Sequence, residues 1–144
     1  MLIESNGRDV QQIDLQQLLA LGKVVKENPT KQTFFVDVQY PTAAALREIG
    51  HVFDLHPLTV EDCFSSAETR EKNEIFDNYR FVVMTEVHVP PGTNELHQIN
   101  VNLIVFKNFL ICVHQGPVKC VDQVLNRMCM LRVCYNVRNI YSSV

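Results

Sequence analysis

Residues 34–63 read FFVDVQYPTAAALREIGHVFDLHPLTVEDC, and the fold turns on this stretch. It opens with Phe34-Phe35-Val36-Asp37-Val38, rich in β-branched and aromatic residues and closed by Pro41, which predicts a strand. Thr42 is a capping residue for the segment that follows, where Leu46, Ile49 and Phe53 recur at helical spacing. A second helix is predicted directly afterwards. Pro57 supplies the fixed φ suited to a first helical position, His56 stands at the cap, and Leu55 can pack on Val60 as a hydrophobic staple. Strand, helix and helix in succession indicate an α/β layer arrangement.

The faces of that second helix follow from about 100° of rotation per residue. Pro57, Val60, Cys63, Phe64 and Ala67 gather on one side, the expected core stripe. Asp62 falls roughly opposite Val60 and is expected to point away from the core, beside Leu58. Glu61 and Asp62 lie in the second turn, beyond most of the benefit that carboxylates gain from free N–H groups at a helix start. The acidic character continues through Glu68, Glu71, Glu74 and Asp77, against Arg70 and Lys72. Such an excess attracts hard divalent cations, which take oxygen ligands. Neighbouring Glu61 and Asp62 diverge around the helix and cannot readily chelate one ion together. A metal site on Asp62, with Glu61 second, is therefore expected to be weak and completed from elsewhere, by a neighbouring subunit. A plain solvated acidic face is the competing reading, and His56 reads as a cap and turn residue.

Outward from this stretch, Ile13–Gly22 predicts a short helix with Gly22 as its stop, and the residues from Gly22 to Thr33 a polar connector. Tyr79–Val89 alternates, with Tyr79, Phe81, Val83, Thr85 and Val87 sharing one face. After a PPGTNE loop, QINVNLIVF and FLICVH flank Lys107-Asn108 as a β-hairpin, and the wholly apolar FLICV suits a central strand covered on both faces. Val121, Val124, Leu125, Met128 and Leu131 form a helical stripe near the end. The expected division is residues 1–118 as an α/β unit and 119–144 as a C-terminal helix that leads onward.

Composition limits the function. With 144 residues, 47% hydrophobic and 20% charged, the chain is long enough for one domain with a real core. A net charge of −3 without a basic, aromatic-interleaved stripe argues against nucleic acid as a partner. No run approaches the length of a membrane span, and MLIESNGRDV has no apolar signal region. Five irregularly spaced cysteines, an odd number, read as reduced thiols. Cys112 and His114 in the apolar strand read as core, and Cys129 and Cys134 lack the second pair that a zinc site needs. An enzyme is not expected. His51 and His56 are five apart across a helix break, no HExxH-like pairing accompanies Asp62, and the glycines form no phosphate-cradling loop. No catalytic residue is assigned.

FFVDV, the Gly50-to-Phe53 unit, DLHPLTVED, TREKNEIFDNYRFVV and NLIVFKNFLICVHQ, in that order, resemble the N-terminal cytosolic domain of CorA-type magnesium transporters, fungal-like branch, over Phe34 to Gln115. Arg70-Glu71-Lys72-Asn73-Glu74 departs from the R-P-K-V-E of many bacterial members. The resemblance implies an α/β class fold, a mixed β-sheet flanked by helices in an α/β/α sandwich. It implies a magnesium-sensing regulatory domain on the cytoplasmic face of a membrane, within a homopentamer of identical subunits. The regulatory magnesium would bind at a subunit interface through Asp62, with Glu61 secondary, and an acid of the neighbour's stalk. The Gly-Met-Asn pore signature and the two membrane helices do not occur in this sequence. The alternative expectation is a stand-alone interaction module that modulates full-length subunits.

Overall fold

The computed structural model describes residues 11–28, 34–65, 70–128 and 133–137. In chain order the elements are β1 (Gln11–Gln12), α1 (Leu15–Glu27), β2 (Phe34–Gln39), α2 (Ala43–Val52), α3 (Pro57–Phe64), β3 (Lys72–Ile75), β4 (Arg80–His88), β5 (His97–Val105), β6 (Phe109–His114), α4 (Lys119–Met128) and β7 (Val133–Val137). The strands form one sheet in the order β1-β7-β2-β6-β5-β4-β3. Its β1-β7-β2-β6 half is parallel and its β6-β5-β4-β3 half antiparallel, so the sheet is mixed as expected.

Two apolar clusters lie on opposite faces. The larger packs Leu18 and Val25 of α1, Leu46 and Ile49 of α2 and Cys63 of α3 against Val36, Val38, Phe81, Val83, Ile104, Ile111 and Val113. The smaller packs Val118 and Val121, at the start of α4, against Phe35, Val101 and Cys112. Alternation along β2 and β6 sends successive side chains to the two faces, which is why β2 is buried along its whole length and β6 from Ile111 to His114. Helices cover both sides of the sheet.

Four expectations are corrected. Gly22 does not stop α1, which runs on to Glu27. Its missing side chain lets α2 approach, since a Cβ at that position would lie 2.4 Å from Val52 Cγ1. The packing gained outweighs the roughly 1 kcal/mol helix penalty of a glycine. Residues 119–144 are not one helix: α4 ends at Met128, and Val133–Val137 pairs in parallel with β2. A β-branched and aromatic run meeting the open edge of a buried strand prevails over continued helical periodicity. A unit boundary at residue 118 has no counterpart, because α4 packs on the sheet and β7 belongs to it. The side chains of Leu125 and Met128, and Leu131 itself, lie outside the described residues.

The fourth correction concerns α3. Its buried residues are Thr59 and Cys63, while Phe64 is 51% exposed and Pro57 is exposed. Thr59 was absent from the expected stripe because its burial depends on a distant hydroxyl, described below. Leu58 is exposed as expected, Val60 packs at the core's margin, and Ala67 lies outside the described residues.

Candidate functional site

The turn that launches α3 is fixed locally. The Leu55 amide donates to Gly50 O at 2.8 Å and Asp54 adopts a φ of 53°, a left-handed helix ending with Asp in the place usually given to glycine. Lys26 of α1 pairs with Asp54 at 2.9 Å. His56 then caps α3, its Nδ1 accepting from the Leu58 amide at 3.2 Å. Its own amide donates to the Tyr79 hydroxyl at 3.0 Å. That hydroxyl also lies 2.8 Å from Thr59 Oγ1, drawing Thr59 inward. The His56 ring sits 5.5 Å from Phe76, which stacks on Tyr79 at 4.6 Å. A helix of two turns is thus clamped at its start by Phe76 and Tyr79 of the turn between β3 and β4.

The clamp sets where the expected metal residues lie. Glu61 is exposed. Asp62 is half-buried on the flank that faces β3, and its Oδ2 accepts a hydrogen bond from Lys72. The expectation that Asp62 leaves the core holds; full exposure does not, since its side chain keeps 23% of its surface open. Lys72 also reaches Glu74 Oε2 at 3.3 Å, and its ammonium lies 5.4 Å from the centre of the Phe81 ring. The Asp62 hydrogen bond above all, helped by Glu74, pushes the Lys72 ammonium above its ordinary range, while partial burial opposes the shift. Asp62, Lys72 and Glu74 therefore form a carboxylate–ammonium–carboxylate array, with Glu61 apart from it. Lys72 was counted in the sequence only as a charge; its partners become visible once β3 is placed beside α3.

A second cluster is fully internal. Ligand-type atoms of Asp37, Cys112 and His114 lie within 4.8 Å of one another. Every strong position is already taken by protein. His114 Nε2 donates to Asp37 Oδ1 at 2.9 Å and Nδ1 donates to Gly116 O at 2.5 Å, while Gln39 Nε2 donates to Asp37 Oδ2 at 2.6 Å. Burial pushes the His114 pKa down, but the hydrogen bond and charge of Asp37 more than offset it and the net shift is upward. Burial first, then the Asp37 charge, pushes the Cys112 thiol up and keeps it neutral. The cluster is a buried, hydrogen-bonded His114–Asp37 pair, in keeping with a core reading of Cys112 and His114.

Residues 30–139 match the family described as CorA-like Mg2+ transporter protein. The chain belongs to this family. It is 34% identical over 122 residues to the magnesium transporter ALR2 of Saccharomyces cerevisiae, covering 83% of this chain and 14% of that protein. Over 83 residues it is 30% identical to the cobalt/magnesium transport protein CorA of Thermotoga maritima, covering 58% of the chain and 23% of that protein. The fold is similar to the soluble domain of CorA from Methanocaldococcus jannaschii, with a TM-score of 0.50 at 10% identity over 64% of this chain and 35% of that one. This CorA-like chain thus spans only a small fraction of the length of such relatives. Among its described residues, no helix is long and apolar enough to cross a membrane.

Proposed function

We propose that this domain is the cytosolic magnesium-sensing lobe of a CorA-like divalent cation transporter, with Asp62 as its principal metal ligand and Glu61 as an accessory acid. The observation that carries the reading is the half-buried Asp62 carboxylate, held on the flank of α3 by a lysine rather than by the solvent. Lys72 acts as a tethered counter-ion. A hydrated magnesium ion competes with it for Asp62, and it binds best where a second subunit brings a further carboxylate. Magnesium gives up water reluctantly, so one aspartate supplies only weak affinity. High magnesium then favours subunits drawn together through shared carboxylates; low magnesium lets carboxylate repulsion separate them. The ion biases the pore only by its difference in affinity for the two states.

The test is made in a protein that carries this domain together with a membrane pore. Asp62→Asn is expected to weaken inhibition of transport by internal magnesium, with Glu61→Gln having a smaller effect. Unchanged inhibition in Asp62→Asn rejects the assignment.

A further inference from the structure

The last residue of β4 and the first of β5 are both histidines, and the register sets His88 directly opposite His97. Side chains of directly paired residues emerge on the same face of a sheet. Their ring centres are 5.6 Å apart with the planes inclined by 59°. Glu95 Oε2, at the end of the connecting loop, lies 3.8 Å from His97 Nε2. His88 Nδ1 is buried, and among the described residues it has no hydrogen-bond partner. With metal–nitrogen bonds of about 2.1 Å, two imidazoles on a tetrahedral ion set their ring centres roughly 5 Å apart. The ring centres are near that spacing, and rotation of the His88, Glu95 and His97 side chains is needed to bring their donor atoms, which do not yet lie within 4.8 Å of one another, onto one ion. The loop between the histidines is held by the Thr93 amide and hydroxyl, which donate to Pro90 O at 3.2 and 3.0 Å, so the two ligands and Glu95 sit on a closed hairpin mouth.

We propose that His88 and His97, with Glu95 as third ligand, bind one divalent transition ion of the zinc, cobalt or nickel class. Imidazole nitrogen suits these ions, whereas magnesium takes oxygen. The charged group nearest on β4 is Glu86, which faces His88 electrostatically but is committed to the Lys119 and Cys120 amides at 3.0 and 2.9 Å. It therefore contributes field rather than a ligand bond. Val83, the β4 partner of Lys72, is five residues from His88, about 17 Å along the strand. The hairpin site is thus separate from the Asp62 array, and it allows the domain to register transition ions independently of magnesium. Either site can fail its test without bearing on the other.

The test titrates zinc into the 144-residue chain at pH 7.5 with millimolar magnesium present, by calorimetry, and follows cobalt binding by absorbance. One zinc per chain is expected, undisplaced by magnesium. His88→Asn and His97→Asn each weaken it about tenfold or more, Glu95→Gln weakens it several-fold, and the double histidine variant abolishes it. Circular dichroism establishes that the variants keep their fold. Cys120→Ser controls for the exposed thiol and leaves binding unchanged. Absence of zinc binding, binding that survives in the double variant, or a cobalt–thiolate band that disappears in Cys120→Ser would each overturn the proposal.

Discussion

The Tyr79 hydroxyl holds the first turn of α3 at two points, accepting from the His56 amide at 3.0 Å and sharing a 2.8 Å hydrogen bond with Thr59 Oγ1. Tyr79→Phe keeps the ring stacking but leaves a buried threonine hydroxyl and a backbone amide to find other partners. A loss of about 1–3 kcal/mol is expected in urea unfolding. Amide exchange should quicken in α3 before it does in β6. Uniform acceleration across the sheet would show that the hydroxyl does not act locally.

Lys72 is expected to oppose any cation at Asp62, because the two compete for one carboxylate. Lys72→Met should raise the affinity of the isolated chain for magnesium several-fold, read as a lower midpoint in a calorimetric or NMR titration. Weaker magnesium binding in this variant would mean that Lys72 orients the carboxylate rather than competing for it.

Gly50 lies where α2 crosses α3, and a Cβ there would come within 2.5 Å of Val60 Cγ2. Valine is stiff about χ1, so it cannot simply swing aside. Gly50→Ala should cost about 1–3 kcal/mol despite alanine's better helix propensity. A shift in the α2–α3 packing should accompany the loss, and a stabilised variant would contradict the close approach.

The Asp37–His114 pair predicts a pH dependence. Its folded pKa is raised above the ordinary 6.5, so the native protein holds this proton more tightly than the unfolded chain. The stabilisation is complete below about pH 6.5 and is lost as pH rises through the elevated folded value. Thermal midpoints of the native chain should fall as pH rises above about 6.5, and those of His114→Gln should fall less. Parallel profiles would remove His114 from the explanation. At higher pH, Cys63 and Cys112, whose thiols burial pushes up, add a loss in the same direction.

Glu86 crosses from β4 to receive the Lys119 and Cys120 amides, capping α4 from another element. Burial pushes its carboxyl up, but the Cys120 thiol and these amides outweigh that and lower its pKa. Partial burial and the same hydrogen bond push the Cys120 thiol up to about 11. Glu86→Ala should cost about 1–2 kcal/mol, a typical capping loss. It should also speed alkylation of Cys120 at neutral pH, so a slowed thiol would refute the coupling.

Wherever neighbours in sequence decide the outcome, the elements could be read directly. Thr42 caps α2, His56 and Pro57 start α3, and Lys107-Asn108 turns the β5–β6 hairpin as expected. Distant partners defeated the reading elsewhere. Gly22 looks like a stop until Val52 is seen against it, and Thr59 falls outside the expected core stripe until Tyr79, twenty positions away, is seen to reach it. Val133–Val137 looks like the tail of a helix because its pairing partner, β2, lies almost a hundred residues earlier. Within the candidate site, the helix-face calculation took Asp62 off the core, but Lys72 could be assigned to it only with β3 in position.

The place of β7 between β1 and β2 has a consequence for biosynthesis. As the polypeptide emerges from the ribosome, β2 can join β6 once residue 114 is available, yet its other side waits for residues 133–137. A nascent product halted in that interval presents the bare backbone of Phe34–Val38 to any similar strand nearby. Premature termination upstream of Val133 should therefore yield self-associating fragments rather than a shorter soluble lobe.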